Sequence, residues 1–195
     1  DFIPEIGTYD VVCPRMDGFK WEIIKRFLNT SVWEDYDYIG FFDDDLVSDI
    51  ANINRAFDLA AKKDLKLFQL STAAGSESTH QILHQKLGIL YTTTNFIEGM
   101  CPVFHTSLIP ILLDFFKQHE VKSGWGFDTI LSPITKTKAA IIHCSSVYHP
   151  DRPSYYDKSK AFAEMDYILK DVYPRFMKDK YNETCGPYTE PQKEY

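Results

Sequence analysis

Asp43, Asp44 and Asp45 stand together directly after the apolar run Tyr38-Ile39-Gly40-Phe41-Phe42. Three adjacent carboxylates repel one another, so crowding them at a strand end costs stability unless something positive joins them. A divalent cation is the natural counter-charge, because hard oxygen ligands suit Mg²⁺ or Mn²⁺ and such ions also bridge substrate phosphates. The competing reading is a solvated turn, where aspartates are common. His149 closes a second apolar run, Ser146-Val147-Tyr148-His149-Pro150. A lone histidine is usually a structural or surface residue. Its place at a strand end, like that of the aspartates, makes the two sites neighbours if the strands share a sheet.

Two further segments carry chemistry. In Gly124-Trp125-Gly126-Phe127-Asp128 the glycines permit a sharp turn just before a helix. Asp128 there is either a plain helix cap or a carboxylate beside an aromatic rim. Aromatic faces stack on sugar rings, and a carboxylate next to them can take a proton from a sugar hydroxyl. Glu98 interrupts the apolar stretch Phe96-Ile97-Glu98-Gly99-Met100. It either points outward from an edge strand or sits half-buried, where it has to be paired or working. Arg15 and Lys20, near the end of the first apolar run, are placed to face a diphosphate, whereas Lys25 and Arg26 read as a solvated helix face.

The elements that must position these residues alternate. Tyr9–Cys13 reads as a short buried strand, and a helix follows from Lys20 with Trp21, Ile24 and Leu28 on one face. Residues 38–42 form a strand covered on both sides. Ser48 or Asp49 caps a helix striped by Ile53, Phe57 and Ala60, and a strand spans 65–70. Residues 71–80 form a polar loop, followed by β-prone segments at 89–94 and 96–97. A helix carrying Pro110 in its first turn turns Leu108, Ile111, Leu112 and Phe115 inward. A strand over 139–147 precedes a last helix near 159–169 that packs Phe162, Met165 and Leu169. The expectation is one α/β domain over residues 1–195, with a mostly parallel sheet flanked by helices and a frayed tail from Asn182. Ligands then bind outside the carboxyl ends of the strands, after Phe42, Ile97 and Val147.

Composition narrows the classes. The chain has 195 residues and a formal charge of −7, with 44% hydrophobic and 15% aromatic residues. That content supports a packed core and excludes global disorder. So acidic a chain is a poor general nucleic-acid binder, which must neutralise phosphates. The longest apolar stretches are too short to span a bilayer. No basic segment followed by an apolar one opens the chain, so no secretion leader is expected. Cys13, Cys101, Cys144 and Cys185 lie far apart and read as free thiols in a reducing, cytoplasmic setting. Asn29-Thr30-Ser31 and Asn182-Glu183-Thr184 match the glycosylation pattern, which decides nothing by itself.

Taken in order, the motifs resemble those of glycosyltransferases with the GT-A fold. The strand leading into Asp43-Asp44-Asp45 resembles their DxD motif. The series Phe19-Lys20-Trp21, Lys25-Arg26-Phe27-Leu28, Tyr36-Asp37-Tyr38-Ile39, Phe42-Asp43-Asp44-Asp45-Leu46, Glu98-Gly99-Met100-Cys101-Pro102-Val103-Phe104, Gly124-Trp125-Gly126-Phe127-Asp128 and Val147-Tyr148-His149 is similar to a plant and bacterial family of glycosyltransferase-like proteins. The glycosyltransferases of chlorella viruses look alike too, which for a viral protein would mean the host cytoplasm. The resemblance runs from about Tyr9 to Pro150. It implies a GT-A-like α/β fold, a UDP-sugar donor held through Mn²⁺ or Mg²⁺, and a glycan or glycoprotein acceptor. Asp45 and His149 would be metal ligands, and Asp43 a ligand or ribose contact. Asp44, Lys20 and Arg15 would lie on the donor side, and Glu98 and Trp125 on the acceptor side. Asp128 would be the base of an inverting transfer. Members of such families carry further strand material before Tyr9, where base and ribose bind; here that pocket is either incomplete or built differently. Two alternatives stand beside this reading. A haloacid-dehalogenase-like phosphohydrolase also places Asp-x-Asp after a strand, with the first Asp as nucleophile. A non-catalytic carbohydrate-binding module would keep the site without turnover.

Overall fold

A computed structural model describes residues 16–78, 80–151 and 157–188. The first element in it is helix α1 (Lys20–Leu28), whose Trp21, Ile24 and Leu28 are buried at the spacing of one helical face. The expected strand over Tyr9–Cys13 and the candidate Arg15 lie outside the described residues. Strand β1 (Tyr38–Gly40) follows. Asp49 caps helix α2 (Ile50–Lys63) by accepting from Asn52 N. Every residue of β2 (Leu67–Thr72) is buried, so both faces of the sheet are covered there. Then come β3 (Tyr91–Thr94), β4 (Val103–His105), α3 (Ile109–Gln118), α4 (Phe127–Thr135) and β5 (Ala139–Val147). Two more helices close the described chain, α5 (Lys158–Tyr167) and α6 (Tyr173–Tyr181), joined through a π-helical turn at Ile168–Val172.

The sheet order is β1-β4-β2-β5-β3. The class is α/β with helices flanking a mixed sheet, as expected, but among the described strands the sheet is not mostly parallel. Among the described strands only β2 and β5 pair in parallel; β1 with β4, β2 with β4, and β3 with β5 are antiparallel. The strands β3 and β4 run backwards because the chain enters each from a loop rather than from a crossover helix. Since β4 opposes both β1 and β2, the strands β1, β2 and β5 all point the same way. Their carboxyl ends therefore share one edge, and that edge receives the acidic loop after β1 and His149 after β5.

Three local expectations are corrected. Residues 96 and 97 form no strand; Ile97 is buried in the turn that leads to Glu98. Phe162 does not pack inward but is 52% exposed, because helix α5 turns it to the side and only Ala161 of that helix is buried. The start of the expected frayed tail is docked: Tyr188 N–H donates to Leu169 O at 3.0 Å, and its ring meets Tyr173 edge-on. Cys101, Cys144 and Cys185 are free thiols. Among the described residues no helix is long and apolar enough to cross a membrane.

Candidate functional site

A cleft of about 1380 Å³ opens along the shared carboxyl edge of the sheet. All eight described residues singled out from the sequence line it: Lys20, Asp43, Asp44, Asp45, Glu98, Trp125, Asp128 and His149. They arrive from five separate stretches of chain, so the fold and not sequence proximity gathers them.

Backbone pairing brings the acidic loop to His149. Val47 N–H donates to Tyr148 O at 2.9 Å and Tyr148 N–H returns a bond to Val47 O at 2.8 Å. That two-residue antiparallel bridge ties the segment after Asp45 to the segment before His149. Asp45 Oδ2 then lies 3.7 Å from His149 Nε2. The imidazole is held from behind, with Nδ1 3.2 Å from Glu77 O. A carbonyl only accepts, so Nδ1 carries the hydrogen and Nε2 is the ring atom left to face the carboxylate, with its lone pair wherever it carries no proton. A lone pair facing a carboxylate is repulsive unless a proton or a cation joins them. Asp45 Oδ1 adds to this: it is buried with no hydrogen-bond partner among the described residues. The donor set fits a divalent cation held by one carboxylate and one imidazole with the imidazole oriented by a carbonyl, the remaining positions falling to oxygens of a ligand. Among the described residues no group of three His, Cys, Asp or Glu side chains forms a metal cage.

Asp43 does not join Asp45 and His149. Its Oδ1 forms a 2.6 Å ion pair with Lys20 Nζ, and that ammonium also donates to Gly99 O at 2.7 Å and Met100 O at 2.9 Å. Three donors and three acceptors complete the lysine, so it has no N–H left for a phosphate in this arrangement. Burial pushes the Asp43 carboxyl above its usual range, although Lys20 pulls it back.

Glu98 lines the same cleft and feels the charges of Lys20, Asp43 and Asp128. Its backbone N–H is pinned by the buried Gln69 Oε1 at 2.6 Å, and its Oε2 is buried with no partner among the described residues. It faces the cleft and is not on an edge strand. Burial first, and then the neighbouring Asp128 and Asp43 charges, push its carboxyl up to about 7 against the opposing pull of Lys20.

Another part of the lining is the turn into α4. Gly124 and Gly126 both have φ above +80°. A Cβ on Gly124 would sit 2.8 Å from Trp21 Cδ1 and closer still to Nε1, and one on Gly126 would sit 3.1 Å from Met165 Cα. Glycine is required at both places, by conformation and by space. Asp128 stands in the first turn of α4, its Oδ1 accepting from Thr129 N at 2.8 Å. Trp125 is half-buried and meets Phe162 edge-on at 4.9 Å.

Sequence reasoning missed the rest of this lining. Helix α5 contributes Glu164, whose two oxygens accept from Lys122 N at 2.7 Å and Ser123 N at 2.9 Å, fixing the loop before Trp125. Tyr167, Lys158 and Lys160 also line the cleft, as do Glu77 and Ser78 from the loop after β2. Their signal in the sequence was slight, because a glutamate that caps a loop some forty positions away looks like any solvated helix residue.

The class of protein so defined is an α/β domain with an acidic, aromatic-walled cleft at the carboxyl edge of its sheet. The chain belongs to the family described as "Protein of unknown function (DUF707)", which it matches over residues 11–178. No curated protein matches it.

Proposed function

We propose that the protein is a metal-dependent glycosyltransferase of GT-A type, moving a sugar from a nucleotide-sugar donor, a UDP-sugar in our reading, to a hydroxyl of a glycan acceptor. One observation carries this reading: Asp45 and His149, 104 positions apart in chain order, meet in a cleft that Trp125 and Asp128 also line. Mn²⁺ or Mg²⁺ bound between Asp45 and His149 would offset the charge that grows on the departing nucleoside diphosphate. Glu77 O keeps the His149 ring oriented for that task. Trp125 offers an aromatic face to a sugar ring, and Asp128, oriented by Thr129, takes the proton of the incoming hydroxyl. In that step the acceptor oxygen bonds to the anomeric carbon, the bond to the diphosphate oxygen breaks with its electron pair, and the proton stays on the carboxylate. Direct displacement inverts the anomeric centre. The phosphohydrolase alternative asks Asp43 to attack phosphorus, and the Lys20 ammonium seated on its Oδ1 weighs against that role.

Incubating the protein with a panel of nucleotide sugars and glycans tests the proposal. Transfer is expected with Mn²⁺, abolished by a chelator, and reduced about a hundredfold or more in Asp45→Asn. Wild-type transfer that survives both chelation and Asp45→Asn refutes the metal role, and a product with the donor's anomeric configuration by NMR refutes Asp128 as the base of a direct displacement.

A further inference from the structure

A cluster of three carboxylates after a strand suggests that all of them serve one cation, yet the geometry divides them. Asp45 turns to His149, whereas Asp43 turns to Lys20. The lysine does more than neutralise its partner. As the first residue of α1, it reaches across the cleft floor and binds two consecutive carbonyls, Gly99 O and Met100 O, directly after Glu98. Asp43 N–H donates to Met100 O as well, at 2.8 Å. Four bonds thus join the helix, the acidic loop and the Glu98 turn at a single point. The side chains of Lys20 and Asp43 are 23% and 35% exposed, so the pair is only partly screened by water.

We propose that Lys20 and Asp43 are a positioning pair that sets the distance between the metal edge and the acceptor edge of the cleft, and that the cation site is built from Asp45 and His149 without Asp43. This inference rests on the cation reading given above. It departs from the sequence expectation in two respects. Lys20 is not a diphosphate contact, since its three donors are committed within the chain. Asp43 is not a metal ligand, since its carboxylate is already charge-paired with the Lys20 ammonium, Oδ1 to Nζ at 2.6 Å, while Asp45 is the carboxylate that faces His149.

The pair also has a charge logic. Asp43 and Lys20 together are neutral, so they add little to the field at Asp45. Removing Lys20 alone leaves an additional carboxylate two positions from Asp45, which attracts a cation. Removing the Asp43 charge alone leaves an ammonium there, which repels one. Removing both restores the original balance.

The test measures binding of Mn²⁺ alone, by electron paramagnetic resonance of the free ion, in wild type, Lys20→Met, Asp43→Asn, the double variant and Asp45→Asn. Thermal unfolding of the same proteins is followed in parallel. Lys20→Met is expected to bind Mn²⁺ about fivefold more tightly than wild type, and Asp43→Asn about fivefold more weakly. The double variant is expected within about threefold of wild type, and Asp45→Asn about a hundredfold weaker. A merely structural lesion would not tighten binding in Lys20→Met. If the double variant loses as much affinity as Asp45→Asn, Asp43 is a ligand and the proposal falls. Transfer assays add a second criterion: Lys20→Met is expected to lower kcat about tenfold or more while the donor KM changes less than about threefold, because a misplaced wall slows the reaction without removing a donor contact. A donor KM raised more than about tenfold at unchanged kcat makes Lys20 a phosphate contact and overturns the assignment. A wild type that binds no Mn²⁺ overturns the cation reading itself; the pair is then decided by unfolding. Non-additive Tm losses in the double variant support it, and strictly additive losses overturn it.

Discussion

Glu98 shows how a single side chain reports on its surroundings. Its carboxyl is pushed from the usual 4.5 to about 7 by burial, by Asp128 and by Asp43, in that order, with Lys20 opposing. Between those two pH values the folded protein holds a proton that the unfolded chain has released. Stability attributable to this group is therefore fully present below about pH 4.5 and is lost as pH rises through about 7. The full effect is at most about 3 kcal/mol. Glu98→Gln is neutral at every pH and escapes the penalty. Urea unfolding is expected to show wild type falling behind Glu98→Gln by up to about 3 kcal/mol near pH 8, with the gap closing toward pH 4.5. An unchanged gap across that range would mean that Glu98 ionises in the folded protein as it does in water. A buried, unpartnered oxygen beside two other carboxylates is also poorly suited to structure alone. Its position is compatible with a group that meets a ligand hydroxyl, the acceptor-side role that the glycosyltransferase resemblance implies for it.

At the scale of elements, the turn into α4 is the most constrained part of the site. Trp21 is 2% exposed and packs edge-on against Phe127 at 4.8 Å, and the backbone of Gly124 passes directly over its indole. Gly124→Ala must move either the tryptophan or the loop, on top of the strain of a positive φ. The expected cost is about 3–5 kcal/mol, read as a shifted urea midpoint with altered near-ultraviolet dichroism. Gly88 is the control: its φ is +79° but a Cβ there meets nothing within 4 Å, so Gly88→Ala should cost only about 1 kcal/mol. Equal losses at the two positions would remove the steric argument. This turn was legible in the sequence because glycine flanking an aromatic before a helix has few other uses. Helix α1 was legible through the three- and four-residue spacing of Trp21, Ile24 and Leu28, and β5 through its length of nine residues. Strand β4 was not, since three residues are too few to display a period of two. Its existence reverses the pairing on both sides, which is why a mostly parallel sheet was expected where antiparallel pairs outnumber parallel ones among the described strands. Helix α6 was missed because Pro174 masks its start and the chain runs into it through a π-helical turn with no break.

Across the whole molecule, the site depends on helices that never touch it. The stop of an apolar run lies close to the ends of β1 and β5 and so marks the acidic loop and His149, whereas Glu98 stands out only as a charge inside an apolar stretch that folds as a turn. Which helix completes the cleft cannot be inferred that way, because it is decided by packing between residues far apart in the chain. Phe176 of α6 is fully buried and lies 5.2 Å from Phe115, which in turn lies 4.8 Å from Phe127, the residue before Asp128. Helix α6 thus supports α3, and α3 supports the start of α4. Phe176→Ala opens a cavity in this stack and is expected to cost about 3–5 kcal/mol. For a chain of this size that lowers Tm by about 6–20 °C. Phe176→Leu, which refills most of the space, should cost about 1–2 kcal/mol. The loss should also reach the chemistry: a loosened stack displaces the Asp128 carboxylate, and small displacements of a proton acceptor slow a reaction severely. Transfer measured well below the lowered Tm, and divided by the folded fraction, is therefore expected to drop about tenfold in Phe176→Ala while Mn²⁺ affinity at Asp45 and His149, which are held by the β5 edge and not by this stack, stays as in wild type. Transfer per folded molecule that remains at the wild-type level would uncouple α6 from Asp128, leaving the aromatic stack as a source of stability alone.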